Sequence, residues 1–87
     1  VTERITFPGR EPLGVMEKEV YPSGLSPEEE ARVIDEARRG AAALGHRRGP
    51  CYSQVVLTER GPCLCETAAR LGGGFDADVT RLASGVD

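Results

Sequence analysis

A capped amphipathic helix in the middle of the chain constrains the fold most strongly. Ser26 is a typical N-cap residue, Pro27 suits the first helical position, and Glu29 completes a capping box three residues after the cap. Small and aliphatic residues then recur at spacings of three and four, and Gly45 supplies a left-handed end. This stripe consists of Ala31, Ile34, Ala37, Ala41 and Leu44. Because it is narrow and rich in alanine, we expect the helix to pack closely on a sheet.

Strand-forming segments lie on both sides of this helix. Residues 5–7 and 14–21 precede it, are rich in β-formers and are punctuated by Pro and Gly. Residues 51–57 and 62–68 follow it and have the composition of a β-hairpin, and residues 76–84 have the spacing of a short second helix. The sequence therefore predicts an α+β fold, in which an antiparallel sheet is combined with two helices.

The second pair of strands has a predictable register. A three-residue loop of Glu59, Arg60 and Gly61, with Gly61 in the left-handed position, makes Thr58 face Pro62. Counting outward pairs Leu57 with Cys63, Val56 with Leu64, Val55 with Cys65, and Gln54 with Glu66. Because side chains alternate across a sheet, Gln54 and Glu66 are expected to share one face. The opposite face is expected to carry Val55, Leu57, Cys63 and Cys65.

Length and charge limit the classes of protein to which the chain can belong. Its 87 residues allow one small domain, and neither end has a closing element, so we expect residues 1–87 to form a single partial domain. The net charge of -3 argues against nucleic-acid binding, and no apolar run is long enough to span a membrane. An odd count of three cysteines favours free thiols and a cytoplasmic location.

The cysteines allow two interpretations. Cys51, Cys63 and Cys65 could recruit His46 into a zinc site, although Cys-x-Cys is tighter than the usual spacing of zinc ligands. Alternatively, the three thiols act as small apolar side chains on a buried face of the sheet.

The polar pair on the hairpin suggests a site for a hard cation. The Gln54 amide oxygen and the Glu66 carboxylate can converge on one point, and Mg²⁺ (or Mn²⁺) takes oxygen ligands of this kind. Arg70 lies four residues beyond Glu66 and could hold an oxyanion nearby or bridge to an acidic neighbour. Gly72, Gly73 and Gly74 permit close backbone approach before a helix whose N-terminus favours anions. The alternative is a solvated polar pair on an exposed sheet face.

The stretch from Ser53 to Gly74, SQVVLTERGPCLCETAARLGGG, resembles the metal-binding hairpin that ends the ATP-grasp fold. The resemblance is to carbamoyl-phosphate synthetases and amino-acid ligases, and it extends over residues 14–87. It implies that Gln54 and Glu66 bind the metal and that Arg70 contacts the transferred phosphate. Ala68 departs from the pattern, since it stands where the family often has Asn, a ligand of a second magnesium.

The resemblance also implies a function. The chain would be the C-terminal part of an ATP-grasp domain in an ATP-dependent carboxylate–amine or carbamoyl-phosphate synthetase-like ligase, which forms an acylphosphate. Its expected ligands are Mg²⁺, ATP and a small carboxylate, and the amino-terminal half of the fold would come from elsewhere or from another chain. The isolated chain would then not turn over ATP. A non-catalytic module that binds a protein through an exposed sheet is the alternative.

Overall fold

The structure, a computed structural model, describes residues 1–9 and 14–86. Its elements follow in the order β1 (Glu3–Thr6), β2 (Met16–Val20), α1 (Pro27–Ala43), β3 (Tyr52–Thr58), β4 (Gly61–Ala68) and α2 (Asp76–Ser84). β1 pairs with β2 and β3 pairs with β4, both antiparallel, so the described strands form two separate hairpins. The predicted α+β class with two helices is confirmed, although the strands do not join into one sheet.

The capping box at the start of α1 has the predicted form. The backbone N–H of Glu29 donates to the Ser26 hydroxyl at 3.2 Å, and the Glu29 carboxylate accepts from the Ser26 N–H at 3.0 Å. The hydrogen bond from the Ser26 N–H lowers the pKa of Glu29, because it favours the ionised carboxylate. At the other end, the helix stops before Gly45, whose φ of +76° suits a residue without a Cβ.

Helix α1 packs across the β3–β4 hairpin, mainly on β4. The helix lies close to β4 at Gly40, where an added Cβ would collide with Cδ2 of Leu64. Ala31 and Leu44, at the two ends of the predicted stripe, are exposed. Its middle is half-buried and consists of Ile34, Ala37 and Ala41. The prediction is therefore right for the centre of the stripe and wrong for its ends.

The turn between β3 and β4 is one residue shorter than predicted. Thr58 pairs with Gly61 and not with Pro62, which leaves Glu59 and Arg60 as the loop. The Thr58 hydroxyl accepts from the Arg60 N–H at 3.2 Å and donates to the Gly61 carbonyl at 2.8 Å. Gly61 has a φ of +112°, a left-handed conformation that suits a glycine at a chain reversal. The hydrogen bonds of the Thr58 side chain close the loop.

A β-bulge corrects this shift further along the hairpin. The register changes between Gln54 and Val55, so Val55 pairs with Leu64 while Gln54 still pairs with Glu66. The predicted pairing of Val55 with Cys65 is wrong, because Cys65 is the extra residue of the bulge. Cys63 pairs with Val56, and alternation places it on the same face as Gln54 instead of the opposite one.

No side chain in the described ranges is fully buried. Val56 and Leu57, near the tip of the hairpin, are 46% and 45% exposed. The three cysteines are free, as predicted, but all of them are exposed, so their expected burial on the sheet is wrong. Of the helices described, neither has the length and apolar character needed to cross a membrane.

Candidate functional site

The candidate site lies on the face of the β3–β4 hairpin that points away from α1. Leu64 meets α1, so its partner Val55 lies on that face, and alternation along β3 puts Gln54 on the opposite face. Glu66 joins Gln54 there as its partner, because the bulge at Cys65 interrupts the alternation along β4. Gln54 and Glu66 are direct cross-strand partners, as the sequence predicts, and partners of this kind have Cβ atoms about 5 Å apart. The pair therefore presents one amide oxygen and one carboxylate side by side.

The amide oxygen of Gln54 already accepts two hydrogen bonds. Nη1 of Arg4 donates to Oε1 at 3.0 Å, and the hydroxyl of Tyr52 donates to the same atom at 3.2 Å. An amide oxygen has two lone pairs, so both are in use. A cation that binds Oε1 must displace one of these donors, and the charged Arg4 occupies the place that a cation would take.

Glu66 lies beside the guanidinium of Arg70. Nη2 of Arg70 is 3.6 Å from Oε1 of Glu66, and both side chains are more than half exposed. Strand β4 ends at Ala68, yet Arg70 still reaches back to Glu66. Nη1 of the same guanidinium donates to the Leu71 carbonyl at 2.8 Å. The bridge to an acidic neighbour is thus present, and the exposed guanidinium remains accessible to an anion.

The aromatic ring of Tyr52 joins these groups. The Arg70 guanidinium lies over the ring, with its central carbon 5.7 Å from the ring centroid. A Cβ added to Gly72 would fall 2.7 Å from Cδ2 of the same ring. Tyr52 therefore contacts Gln54, Arg70 and the start of the glycine segment.

The glycine segment between β4 and α2 is closely packed only at its first residue. A Cβ on Gly72 would collide with the Asp76 carboxylate, whereas one on Gly73 would meet nothing within 4 Å. Gly74 has a φ of +66°. Helix α2 has Phe75 at its N-cap position with no side-chain cap, and Asp76 is its first residue. The Asp76 side chain thus faces the glycine segment and does not cap the helix.

One acidic pair, Glu19 and Asp76, links the first hairpin to α2. Burial raises the pKa of Glu19 above its ordinary value of 4.5, and the Asp76 carboxyl beside it raises this pKa further, against the opposing charge of Arg4. Oε2 of Glu19 is buried and has no hydrogen-bond partner within the described part of the chain. The β1–β2 hairpin therefore meets the site at two places, through Arg4 and through Glu19.

Sequence reasoning singled out Gln54, Glu66, Arg70 and the glycines but missed their neighbours. Tyr52 carried a usable signal, since it lies two residues before Gln54 and so shares its face. Arg4 and Glu19 carried none, because their contacts depend on where a distant hairpin is placed.

The alternative zinc site has no support in the structure. Within residues 1–9 and 14–86, no three His, Cys, Asp or Glu side chains form a group that could hold a metal ion. The Cys51 thiol instead lies 3.3 Å from the Thr67 hydroxyl, and Nε2 of His46 lies 3.2 Å from the Gly49 carbonyl oxygen.

Two groups of known proteins have sequences similar to this chain. The uncharacterised protein y4rH of Sinorhizobium fredii is 35% identical over 83 residues, which are 95% of this chain and 17% of y4rH. Carnosine synthase 1 from Mus musculus and from Homo sapiens is in each case 36% identical over 66 residues, which are 76% of this chain and 8% of the synthase.

The chain thus spans less than a fifth of the length of these relatives. No protein-family model matches it, and no solved structure matches it. The similarity to carnosine synthase gives partial support to an ATP-grasp relationship.

Proposed function

We propose that this chain is part of an ATP-dependent carboxylate–amine ligase and supplies its metal-binding hairpin. The observation that carries the proposal is the cross-strand pairing of Gln54 with Glu66, with Arg70 beside Glu66. The similarity to carnosine synthase, an ATP-grasp ligase, supports the same class of enzyme. A carbamoyl-phosphate synthetase-like ligase would use the same hairpin.

The donors present fit magnesium or manganese. Oε1 of Gln54 and the carboxylate of Glu66 are hard oxygen ligands, and Mg²⁺ usually takes only one or two carboxylates from a protein. These two residues would hold the ion, which when bound neutralises negative charge on the phosphates of ATP. Ala68 offers only a methyl group, so a second metal would need ligands from other residues.

Arg70 is proposed to hold the phosphoryl group that is transferred. In the ligase reaction, the substrate carboxylate attacks the γ-phosphorus, the bond to the ADP oxygen breaks, and an acylphosphate results. The amine then forms the new bond to the acyl carbon, and inorganic phosphate leaves. The guanidinium of Arg70 suits the anionic oxygens of both steps because it is always charged and is more than half exposed here.

The glycines are proposed to let the backbone approach the nucleotide phosphates. Gly73 and Gly74 are exposed, and a Cβ added at Gly73 would meet no atom within 4 Å. Asp76 and Asp78 bring negative charge to the first turn of α2, so we assign this role to the glycine backbone and not to the helix end.

The remaining machinery of such a ligase would lie outside these residues. We propose that the nucleotide pocket is completed by other segments of a longer protein or by another chain, and that the enzyme works in the cytoplasm. The nucleotide and a small carboxylate would be its ligands.

The test is turnover by the longer protein that contains this chain. Glu66→Ala should nearly abolish ATP-dependent phosphate release in the presence of a carboxylate and an amine, while the circular dichroism spectrum stays unchanged. The matched control is Glu59→Ala, which removes a carboxylate from the exposed hairpin loop. Full activity in Glu66→Ala would exclude Glu66 as a metal ligand.

One observation favours the second candidate, a protein-binding module. Val56 and Leu57 expose apolar surface at the hairpin tip, and no described side chain is fully buried. A binding module would retain partner affinity in Glu66→Ala and lose it in Val56→Asp. The ligase would instead lose turnover in Glu66→Ala and keep it in Val56→Asp.

A further inference from the structure

Tyr52 contacts three groups of the proposed site at once. Its hydroxyl lies 3.2 Å from Oε1 of Gln54, its ring carries the Arg70 guanidinium at 5.7 Å, and its ring edge lies against Gly72. Gln54 lies on β3, whereas Arg70 and the glycine segment follow β4. A single half-buried residue at the start of β3 therefore contacts all three.

We infer that Tyr52 is a positioning residue that sets the orientation of the Gln54 amide and holds the Arg70 guanidinium against the hairpin. The inference rests on the proposed function, since it assigns Tyr52 to the same metal and phosphate site. Tyr52 itself would touch neither the metal nor the phosphate, and it would act only through its neighbours.

The hydroxyl and the ring have separable tasks. The hydroxyl donates to one lone pair of Oε1, which directs the amide oxygen into the site and leaves the other lone pair, now used by Arg4, for a cation. A donor of this kind to a metal ligand fixes the ligand's orientation, and its loss typically lowers metal affinity by about tenfold or more.

The ring supports Arg70 by a cation–π interaction. The negative face of the ring attracts the guanidinium, whose only other described partners are Glu66 and the Leu71 carbonyl. A cation on Glu66 would weaken the hold of this carboxylate on Arg70, and the ring would then keep Arg70 in position for an incoming anion.

The experiment compares Tyr52→Phe with Tyr52→Leu in the full chain by NMR and by Mn²⁺ titration. Tyr52→Phe should shift the side-chain amide resonances of Gln54 and lower Mn²⁺ affinity roughly tenfold, while the Arg70 NεH resonance keeps its ring-current shift. Tyr52→Leu should remove that ring-current shift as well. Tyr21→Phe and Phe7→Leu are matched controls, since they remove an exposed hydroxyl and an exposed ring elsewhere.

The readouts separate failure of this inference from failure of the proposed function. If the wild-type chain binds no Mn²⁺, the proposed function fails, and the Gln54 and Arg70 resonances still decide the role of Tyr52. Gln54 resonances unchanged in Tyr52→Phe, or an Arg70 resonance unchanged in Tyr52→Leu, would overturn the inference. Unfolding of Tyr52→Leu would also count against it if Tyr52→Phe remains folded with unchanged Mn²⁺ affinity.

Discussion

The guanidinium of Arg4 lies 3.0 Å from the amide oxygen of Gln54, a residue 50 positions away in sequence. This hydrogen bond connects the β1–β2 hairpin to the β3–β4 hairpin at the atom proposed to bind the metal. It places a positive charge where a cation would otherwise sit, so the first hairpin and the cation compete for Gln54.

Removing Arg4 should therefore strengthen metal binding. Arg4→Ala frees one lone pair of Oε1 and removes a nearby positive charge, and a hydrogen bond from a charged donor contributes about 1.5–3 kcal/mol net. We expect Mn²⁺ affinity in a calorimetric titration to rise by roughly three- to tenfold. This gain corresponds to less free energy than the full hydrogen bond, because the site is exposed to solvent and its charges are screened. Arg38→Ala, which removes an exposed charge on α1, is the control. An equal gain in Mn²⁺ affinity in both variants would mean that net charge alone is responsible and that Arg4 does not compete for Gln54.

The Glu19–Asp76 pair predicts a pH-dependent stability. The pKa of Glu19 is raised in the folded state, so its protonated form favours folding. This contribution is fully present below the unfolded pKa of 4.5 and is lost as pH rises through the folded pKa. Glu19→Gln keeps the neutral form at all pH values and should be more stable than wild type near neutral pH.

Urea denaturation at several pH values measures this difference. The advantage of Glu19→Gln should shrink as pH falls and vanish below pH 4.5. Glu17→Gln changes an exposed carboxylate on the same strand and should show no such trend. A constant advantage at every pH would contradict the proposed titration of Glu19.

Gly72 and Gly73 offer a matched comparison of the glycine segment. Gly72→Ala forces a Cβ into the Asp76 carboxylate and against the Tyr52 ring, and such overpacking typically costs about 1–3 kcal/mol. Gly73→Ala meets nothing within 4 Å and should be tolerated. Thermal melts followed by circular dichroism distinguish the two variants. Equal melting temperatures would mean that the packing around Gly72 is not required for folding.

The cap of α1 should contribute measurably to stability. Ser26→Ala removes the acceptor for the Glu29 N–H, and N-cap substitutions of this kind cost about 1 kcal/mol. Helicity by circular dichroism and the urea midpoint should both fall. Adding Glu29→Ala to this variant should cost little more if the two side chains act as one capping box, and an additive loss would show that they act independently.

The elements that could be predicted from sequence are those that local interactions determine. The bounds of α1 follow from Ser26, Glu29 and Gly45, and α2 occupies the predicted residues 76–84. The pairing of Gln54 with Glu66 was also predicted, but through two errors that cancel: the loop is one residue shorter than expected, and a bulge at Cys65 restores the register. Turn counting assumes a regular ladder and cannot locate a bulge.

The parts of the site that sequence did not predict depend on distant packing. Arg4 reaches Gln54, and Glu19 reaches Asp76, only because the first hairpin lies beside the glycine segment. No periodicity or spacing in the sequence encodes that placement. The separation of the strands into two hairpins has the same origin, since pairing between distant strands is not a local property.

Paramagnetic broadening by Mn²⁺ tests the central claim most directly, because it locates the ion on the hairpin without requiring turnover. In the full chain, low Mn²⁺ concentrations should broaden the amide resonances of Gln54 and Glu66 first and together, and Glu66→Ala should abolish this effect while Glu59→Ala preserves it. Broadening that persists in Glu66→Ala, or that begins at other carboxylates, would contradict a metal site between β3 and β4.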